Sequence, residues 1–278
     1  MPISIQSNAK INLALYINHQ RSDGYHDIST LMQEIDFSDE IIISKNNGSN
    51  ININSIGIQT PTDSTNLCYI AAQTFLNSFK ITDGVDITIH KKIPIGAGLG
   101  GGSSNAISTI KALMQIFEIE LNYDDFFSMA STIGADVPFF INGNLQYAEG
   151  IGHDLRQLDP LFKNLIFLLV LPNISISTRW AYTEYKKYLE NQPNQSKFQP
   201  LSRELDWSLL RNDFEKVVLS TYPEIKRIKD DLQKNGSLFT SLSGSGSTMF
   251  GVYDNLESVH KARDLFKDYH TFTALPIY

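Results

Sequence analysis

Residues 94–106 read PIGAGLGGGSSNA, a stretch in which five of thirteen residues are glycine. An ordered glycine loses more backbone entropy on folding than any other residue, so a cluster of them needs a compensating role. Two such roles are a backbone that requires φ > 0 and a ligand that closely approaches main-chain N–H groups. The alternating stretch VDITIHKKI precedes the cluster and an apolar pattern of helical spacing follows it. The local order predicted is therefore strand, glycine loop, helix.

Two familiar nucleotide motifs do not fit this loop. Gly96, Gly98 and Gly101 match G-x-G-x-x-G, but a dinucleotide fold needs an acidic residue about 20 positions on, at the end of the next strand. Glu118 and Glu120 have that spacing, yet they end a helical pattern and another helical pattern follows. A Walker A loop ends in lysine and serine or threonine, and no lysine follows these glycines.

A third interpretation is a different phosphate cradle. The glycines would expose consecutive N–H groups, and Ser103 and Ser104 would add hydroxyls at the start of a helix whose dipole favours anions. A plain turn with Ser103 as the N-cap is the structural alternative, but one cap needs only one serine. We therefore favour phosphate binding, and we expect a side chain added within residues 98–102 to block the phosphate without unfolding the protein.

The bulk composition limits the class of protein. The chain has 278 residues, a formal net charge of −7 and a single cysteine, Cys68. One cysteine excludes an internal disulfide and a cysteine cluster for zinc, and the acidic balance disfavours nucleic-acid binding through a basic face. The start of the chain shows no secretory leader, and the apolar run LIFLLVL is too short to cross a bilayer. We expect a cytoplasmic protein with neither a nucleic-acid nor a membrane partner.

Sequence patterns predict strands and helices in both halves of the chain. ISIQSNAKINLALYI is predicted as strand, short break, strand, and STNLCYIAAQTFLNSF as a helix with Ser64 or Thr65 as a possible N-cap. From NLIFLLVLPN onward the predicted order is β-α-α-β-β-α-β with a helical insertion, close to a split β-α-β arrangement. The polar stretch NQPNQSKFQP is predicted as an exposed loop.

Three segments together resemble one kinase family. PIGAGLGGGSSNA is similar to the central ATP motif of the GHMP kinases, AKINLALYINHQRSDGYHDISTLMQEID lies near the N-terminus, and SLSGSGSTMFG lies near the C-terminus. With GADVPFF, they resemble most the GHMP kinases that phosphorylate a cytidine diphosphate-linked sugar alcohol. The resemblance implies an α+β, two-domain fold. It has a ribosomal S5 domain 2-like domain over residues 1–158 and a ferredoxin-like domain over residues 159–278.

The same resemblance implies the catalytic pair Lys10 and Asp136. A carboxylate orients an alcohol and takes its proton, and a lysine offsets charge on the phosphoryl oxygens. Asp136 as an N-cap before VPFF, with Pro138 early in a helix, and Lys10 as a solvated lysine are the structural alternatives.

The resemblance also assigns binding residues. The positions implied for ATP are Pro94, Ile95, Gly96, Ala97, Gly98, Leu99, Gly100, Gly101, Gly102, Ser103, Ser104, Asn66, Lys91 and Asn105. The positions implied for the substrate are Asn12, Tyr25, His26, Thr178 and Tyr182. Asn66 and Asn105 could instead start helices, and Lys91 could be solvated. Ser177 and Arg179 replace two prolines of the family pattern, which leaves the backbone shape around Thr178 open.

Cofactor and partners follow from the resemblance. We expect ATP as the phosphoryl donor, Mg²⁺ accompanying it without an assigned protein ligand, a small-molecule substrate, and a monomer or weak homodimer. One alternative is another GHMP kinase, acting on mevalonate, homoserine or a sugar. A non-catalytic ATP-binding regulator on the same fold is a second alternative, which the presence of both Lys10 and Asp136 disfavours.

Overall fold

The computed structural model describes residues 1–22, 24, 26–190 and 206–278. Tyr25 and the predicted polar loop NQPNQSKFQP therefore lie outside the described residues. Among the residues it describes, no helix has the length and apolar character needed to cross a membrane.

The described chain divides into two compact units. The first unit comprises residues 1–9, 38–95 and 100–143, and the second comprises residues 10–37, 96–99 and 144–278. Two long strands, β1 (Ile3–Gln20) and β2 (His26–Lys45), contribute residues to both units. The domain boundary at residue 159 stays a prediction.

The first unit packs helices on a sheet with the order β3-β4-β2. Strands β3 (Ile51–Gly57) and β4 (Val85–Lys91) are parallel, and β4 pairs antiparallel with β2. Its helices are α1 (Leu67–Ser78), α2 (Gly101–Phe117), α3 (Tyr123–Ile133) and α4 (Phe139–Asn142). Alternate residues of β4, namely Val85, Ile87 and Ile89, are buried, as the alternating pattern predicts.

The second unit contains a four-stranded antiparallel sheet with the order β10-β7-β9-β8. Its elements after the first unit are β5 (Leu145–Glu149), β6 (Asp154–Gln157), β7 (Ile166–Leu171), α5 (Thr178–Glu190), α6 (Glu215–Thr221), α7 (Pro223–Lys234), β8 (Phe239–Leu242), β9 (Met249–Tyr253), α8 (Leu256–Arg263) and β10 (His270–Ala274). Strands β5 and β6 extend the β2 portion of this unit. The strand order and the antiparallel pairing are those of a ferredoxin-like sheet, so the predicted α+β class is confirmed.

Two local predictions are wrong. The strand β1 runs unbroken from Ile3 to Gln20, because its central residues are buried and follow one continuous extended path. Helix α1 is capped by Asn66, whose side chain accepts a hydrogen bond from the Cys68 N–H, and not by Ser64 or Thr65.

Candidate active site

The second part of the glycine loop leaves N–H groups exposed at a helix start. Gly100 is the N-cap of α2 with φ of 68°, and no side chain caps this helix. The N–H groups of Gly101, Gly102 and Ser103 make no hydrogen bond to another described residue. Ser103 lies inside the first turn, so the alternative in which it is a plain N-cap is wrong. Uncapped N–H groups at a helix N-terminus bind anions, phosphate included.

The first part of the loop, residues 96–99 of the second unit, is fastened to other backbone. The Thr248 N–H donates to the Ala97 carbonyl at 3.3 Å, the Ser243 hydroxyl to the Gly98 carbonyl at 2.8 Å, and the Lys10 N–H to the Leu99 carbonyl at 2.9 Å. A Cβ on Gly98, where φ is 81°, would lie 2.0 Å from the Ser243 carbonyl oxygen. The expectation that a side chain here would obstruct only phosphate is therefore wrong for Gly98.

The two glycines of α2, Gly101 and Gly102, differ in the space that each has for a Cβ. A Cβ on Gly101 would lie 2.8 Å from both Ile93 Cγ2 and Lys91 Nζ, so this glycine is also required by packing. At Gly102, which is exposed, the nearest atom to a Cβ is Leu67 Cδ1 at 3.4 Å. Of these two positions, only Gly102 leaves a Cβ at an ordinary van der Waals distance from its neighbours.

Lys10 is buried and held by neighbours in the second unit. Its Nζ donates to Asn12 Oδ1 at 2.5 Å and to the Gly98 carbonyl at 3.2 Å. The Asn12 amide nitrogen donates to Thr30 Oγ1 at 2.8 Å, and the Thr30 hydroxyl in turn donates to the Ala14 carbonyl at 2.7 Å. This chain of bonds fixes which end of the Asn12 amide faces Lys10. The alternative in which Lys10 is a solvated lysine is wrong.

Asp136 lies in a turn of the first unit between α3 and α4, and its side chain is half-buried. The N-cap position of α4 is Pro138, whose side chain forms no capping hydrogen bond. The N-cap position is thus Pro138 and not Asp136, which differs from the structural alternative.

Three residues implied for the nucleotide have side chains that bond within the first unit. Asn66 caps α1 and donates to the Pro61 carbonyl at 2.6 Å. Lys91 is buried and forms an ion pair with Asp39. The Asn105 amide donates to Asp39 Oδ2 and to Ser7 Oγ, each at 2.9 Å. These polar ends have partners inside the protein, and the role that the resemblance implies for the three residues at the nucleotide stays a prediction.

Asn12, which accepts from Lys10, is one of the residues implied for the substrate, and three others make contacts elsewhere in the second unit. Thr178 Oγ1 lies 2.9 Å from Ser245 Oγ, and one of the two hydroxyls donates to the other. The His26 and Tyr182 rings are stacked with centroids 4.9 Å apart, and Tyr182 also meets Phe214 edge-on at 4.8 Å. Burial, with a smaller contribution from the Lys186 charge, lowers the pKa of His26 from its ordinary value.

The structure thus groups Lys10, Asn12 and Gly98 in the second unit, and Lys91, Asn105 and Ser104 in the first. Sequence reasoning missed four polar residues that hold these groups, namely Ser7, Thr30, Asp39 and Ser243. The serine hairpin SLSGSGSTM was a visible signal for Ser243. Nothing in the sequence distinguished Asp39 from the other acidic residues of the chain.

Family models match both halves of the chain. The GHMP kinases N terminal domain matches residues 66–144, and the GHMP kinases C terminal model matches residues 189–269. Together with the glycine loop and the ferredoxin-like sheet, these matches define a GHMP kinase.

Relatives narrow this class. A protein of Chlorobium phaeobacteroides (strain BS1) named 4-diphosphocytidyl-2-C-methyl-D-erythritol kinase is 37% identical over 96% of this chain and 94% of its own length. A protein of the same name from Clostridium perfringens (strain ATCC 13124) is 35% identical over 98% of this chain and 96% of its own. The chain therefore belongs to the 4-diphosphocytidyl-2-C-methyl-D-erythritol kinase family, and the resemblance stated from its motifs is confirmed.

Solved structures agree on the fold. A crystal structure of 4-(cytidine 5'-diphospho)-2C-methyl-D-erythritol kinase superimposes with a TM-score of 0.78 at 27% identity, covering 98% of each chain. The Methanococcus jannaschii mevalonate kinase superimposes with a TM-score of 0.73 at 18% identity, covering 100% of this chain and 99% of its own. At that identity the second match concerns the fold alone.

Proposed function

We propose that this protein transfers a phosphoryl group from ATP to the 2-hydroxyl of 4-diphosphocytidyl-2-C-methyl-D-erythritol, a step of the non-mevalonate route to isoprenoid precursors. The observation that carries the proposal is the near full-length similarity to kinases named for this substrate. The uncapped start of α2, which fits a phosphate group, supports it independently.

The ATP phosphates lie against the N–H groups of Gly101, Gly102 and Ser103 in this proposal, where the α2 dipole also favours negative charge. Ile95 exposes 57% of its surface directly before Gly96 and offers an apolar contact for the nucleotide base. Mg²⁺ accompanies ATP and neutralises charge on the phosphates. Hydroxyl oxygens suit Mg²⁺, and Ser103 supplies one at the same helix start, whereas Ser104 is buried and its hydroxyl accepts a hydrogen bond from Ser7. No protein ligand is assigned.

Two residues perform the proton and charge chemistry. Asp136 orients the 2-hydroxyl and accepts its proton as that oxygen attacks phosphorus. The Lys10 ammonium, held by Asn12 and the Gly98 carbonyl, offsets the charge that develops on the transferred phosphoryl oxygens. A buried and fixed lysine costs little reorganisation at the moment of reaction.

The cytosine of the substrate is held on the side of the second unit that carries Tyr182. We infer that the base stacks on Tyr182 in the place that the His26 imidazole occupies in this structure. Stacking accepts any base, so the choice of cytosine requires polar groups directed at its edge. The His26 main chain supplies such groups in this proposal, and its imidazole turns aside when the base binds. Thr178 lies in α5, as Tyr182 does, and its hydroxyl is hydrogen-bonded to that of Ser245. In this proposal Thr178 also contacts the substrate.

The experiment that tests the proposal measures ADP release with four acceptors in parallel, namely 4-diphosphocytidyl-2-C-methyl-D-erythritol, mevalonate, homoserine and galactose. We expect release only with the first. Release with only one of the other three would overturn the substrate assignment, and the absence of release with all four would favour a non-catalytic ATP-binding protein.

A further inference from the structure

The Asp39 carboxylate sits at the centre of a polar cluster that the catalytic account does not use. Asp39 lies in β2 with none of its surface exposed. Its Oδ1 accepts hydrogen bonds from the N–H groups of Lys92 at 2.7 Å and Ile93 at 2.8 Å. Its Oδ2 accepts from Asn105 Nδ2 at 2.9 Å and pairs with Lys91 Nζ. Both oxygens therefore accept two donors each, which a buried carboxylate needs.

The donors come from opposite ends of the glycine loop. Lys92 and Ile93 directly precede Pro94, and Asn105 directly follows Ser104 in α2. One oxygen of Asp39 thus holds the entry of the loop and the other holds its exit. Residues 96–99 are already held by hydrogen bonds to their carbonyl groups. Because the glycines at the start of α2 give the rest of the loop unusual freedom, restraints at its two ends help to preorganise the N–H groups there.

A second connection extends from the same cluster to the first turn of α2. Asn105 Nδ2 also donates to Ser7 Oγ at 2.9 Å, and the Ser7 hydroxyl donates to Ser104 Oγ at 2.8 Å. Ser7, Ser104 and Asn105 are all buried. The start of α2, where the uncapped N–H groups lie, is therefore tied through Asn105 to Asp39 by two routes.

We propose that Asp39 is a positioning residue for ATP, because it holds both ends of the glycine loop and so keeps the N–H groups of Gly101–Ser103 in a phosphate-binding arrangement. This proposal rests on the proposed use of ATP. Lys91 supplies the counter-charge that the buried carboxylate requires, and it does so from inside the protein.

Exchanging the two hydrogen-bonding side chains tests this role. In Asp39→Asn the amide nitrogen faces the amide nitrogen of Asn105, so two donors oppose each other, while the amide oxygen still accepts from Lys92 and Ile93. In Asn105→Asp two carboxylates oppose each other. In the double variant Asp39→Asn/Asn105→Asp a donor again meets an acceptor. Lys91 Nζ, which lies beside α2 at the Gly101 Cβ position, can then pair with the carboxylate at position 105.

The measurement is the Kd for a non-hydrolysable ATP analogue by titration calorimetry, together with the KM for the sugar alcohol and the thermal midpoint. We expect Asp39→Asn to raise the Kd for the analogue about tenfold or more, as the loss of a charged hydrogen bond implies. The KM for the sugar alcohol should change by less than about twofold, and the double variant should bind the analogue within about threefold of the wild-type protein.

Glu215→Gln is the matched control. Glu215 also pairs with a lysine, Lys229, and accepts from Ser241 and the Leu242 N–H, but it lies in the second unit. At a comparable loss of thermal stability this variant should bind the ATP analogue normally. Equal weakening in both variants would mean that Asp39 acts only on stability.

The proposal is overturned if folded Asp39→Asn binds the analogue normally, or if both KM values rise equally. If neither single variant folds, the double variant decides. A double variant that folds and recovers its affinity supports the positioning role of Asp39. A double variant that folds but still binds the analogue more than about tenfold more weakly contradicts that role. A double variant that fails to fold also contradicts it. Failure of the wild-type protein to bind the analogue would instead refute the proposed function.

Discussion

The two parts of the glycine loop use the same residue type for opposite reasons. In residues 96–99 the carbonyl groups of Ala97, Gly98 and Leu99 all accept hydrogen bonds, and Gly98 has no space for a Cβ beside Ser243. At the start of α2 the N–H groups of Gly101–Ser103 have no acceptor among the described residues, and Gly102 has space. Glycine content alone therefore does not identify a ligand contact, and the surroundings of each glycine decide.

Asp136→Asn should have the largest effect on activity, and it should leave the fold intact. Asp136→Asn keeps the size of the side chain but removes the base, so we expect kcat to fall by about 10²–10⁴-fold with thermal stability and substrate binding retained. Steady-state kinetics and a thermal melt measure both quantities. A variant with nearly normal kcat would remove Asp136 from the chemistry and return it to a structural role in its turn.

Gly98→Ala should break the first part of the loop. The new methyl group would overlap the Ser243 carbonyl at a positive φ, so we expect destabilisation of roughly 2–4 kcal/mol. Gly96→Ala is the matched control, because Gly96 has φ of 67° but no atom within 4 Å of a Cβ. The difference between their thermal midpoints isolates the overlap. Equal midpoints would mean that the backbone of the Ser243 hairpin yields easily.

Tyr182→Ala tests a ring that has two roles in this account. The ring packs inside the protein, and we propose that it also stacks on the cytosine. We expect the KM for the cytidine-containing substrate to rise about tenfold and the KM for ATP to stay nearly constant. Tyr182→Phe keeps the ring and should be close to the wild-type enzyme. Because Tyr182 also contacts Phe214, a melt accompanies the kinetics. A lower midpoint with equal rises in both KM values would assign the ring to packing alone.

The smallest expected effect is a pH dependence from His26. Because burial lowers the pKa of the folded imidazole, the unfolded chain takes up a proton first as pH falls. The contribution of His26 to the free energy of unfolding is thus constant above the ordinary histidine pKa. It falls as the pH decreases through the ordinary pKa of the unfolded chain toward the lowered pKa of the folded protein. Thermal melts of the wild type and His26→Gln between pH 7.5 and about 5 measure this difference, given an ordinary pKa of about 6.5. Parallel curves would contradict the lowered pKa.

Much of the fold follows from local sequence patterns. The alternation in VDITIHKKI predicted β4, and the helical spacing after the loop predicted α2. The unbroken course of β1 and the short strands β5 and β6 were not predictable, because tertiary pairing decides them and no local signal does. Strands β1 and β5 pair with β2, and β6 pairs with β5.

The candidate site was only partly predictable. The glycine motif indicated phosphate binding, and the family resemblance supplied Lys10 and Asp136. The internal partners of Lys91 and Asn105 were not visible, because Asp39 is separated from them by 52 and 66 residues in sequence. Three-dimensional folding alone brings these side chains together, so no local signal indicated their internal partners. The role at the nucleotide that the resemblance implies for Lys91 and Asn105 stays a prediction.

The affinity of Gly102→Val for a non-hydrolysable ATP analogue decides whether the start of α2 receives the ATP phosphates. Gly102 is exposed within α2, and a Cβ there meets only Leu67 Cδ1 at 3.4 Å, so the fold should tolerate the change. Gly100→Val is a poorer probe, because Gly100 has φ of 68° and a branched side chain would strain the backbone itself. We expect Gly102→Val to have a normal thermal midpoint and a Kd for the analogue at least about tenfold higher than the wild-type value. Normal affinity in the folded variant would contradict the claim that the start of α2 receives the phosphates.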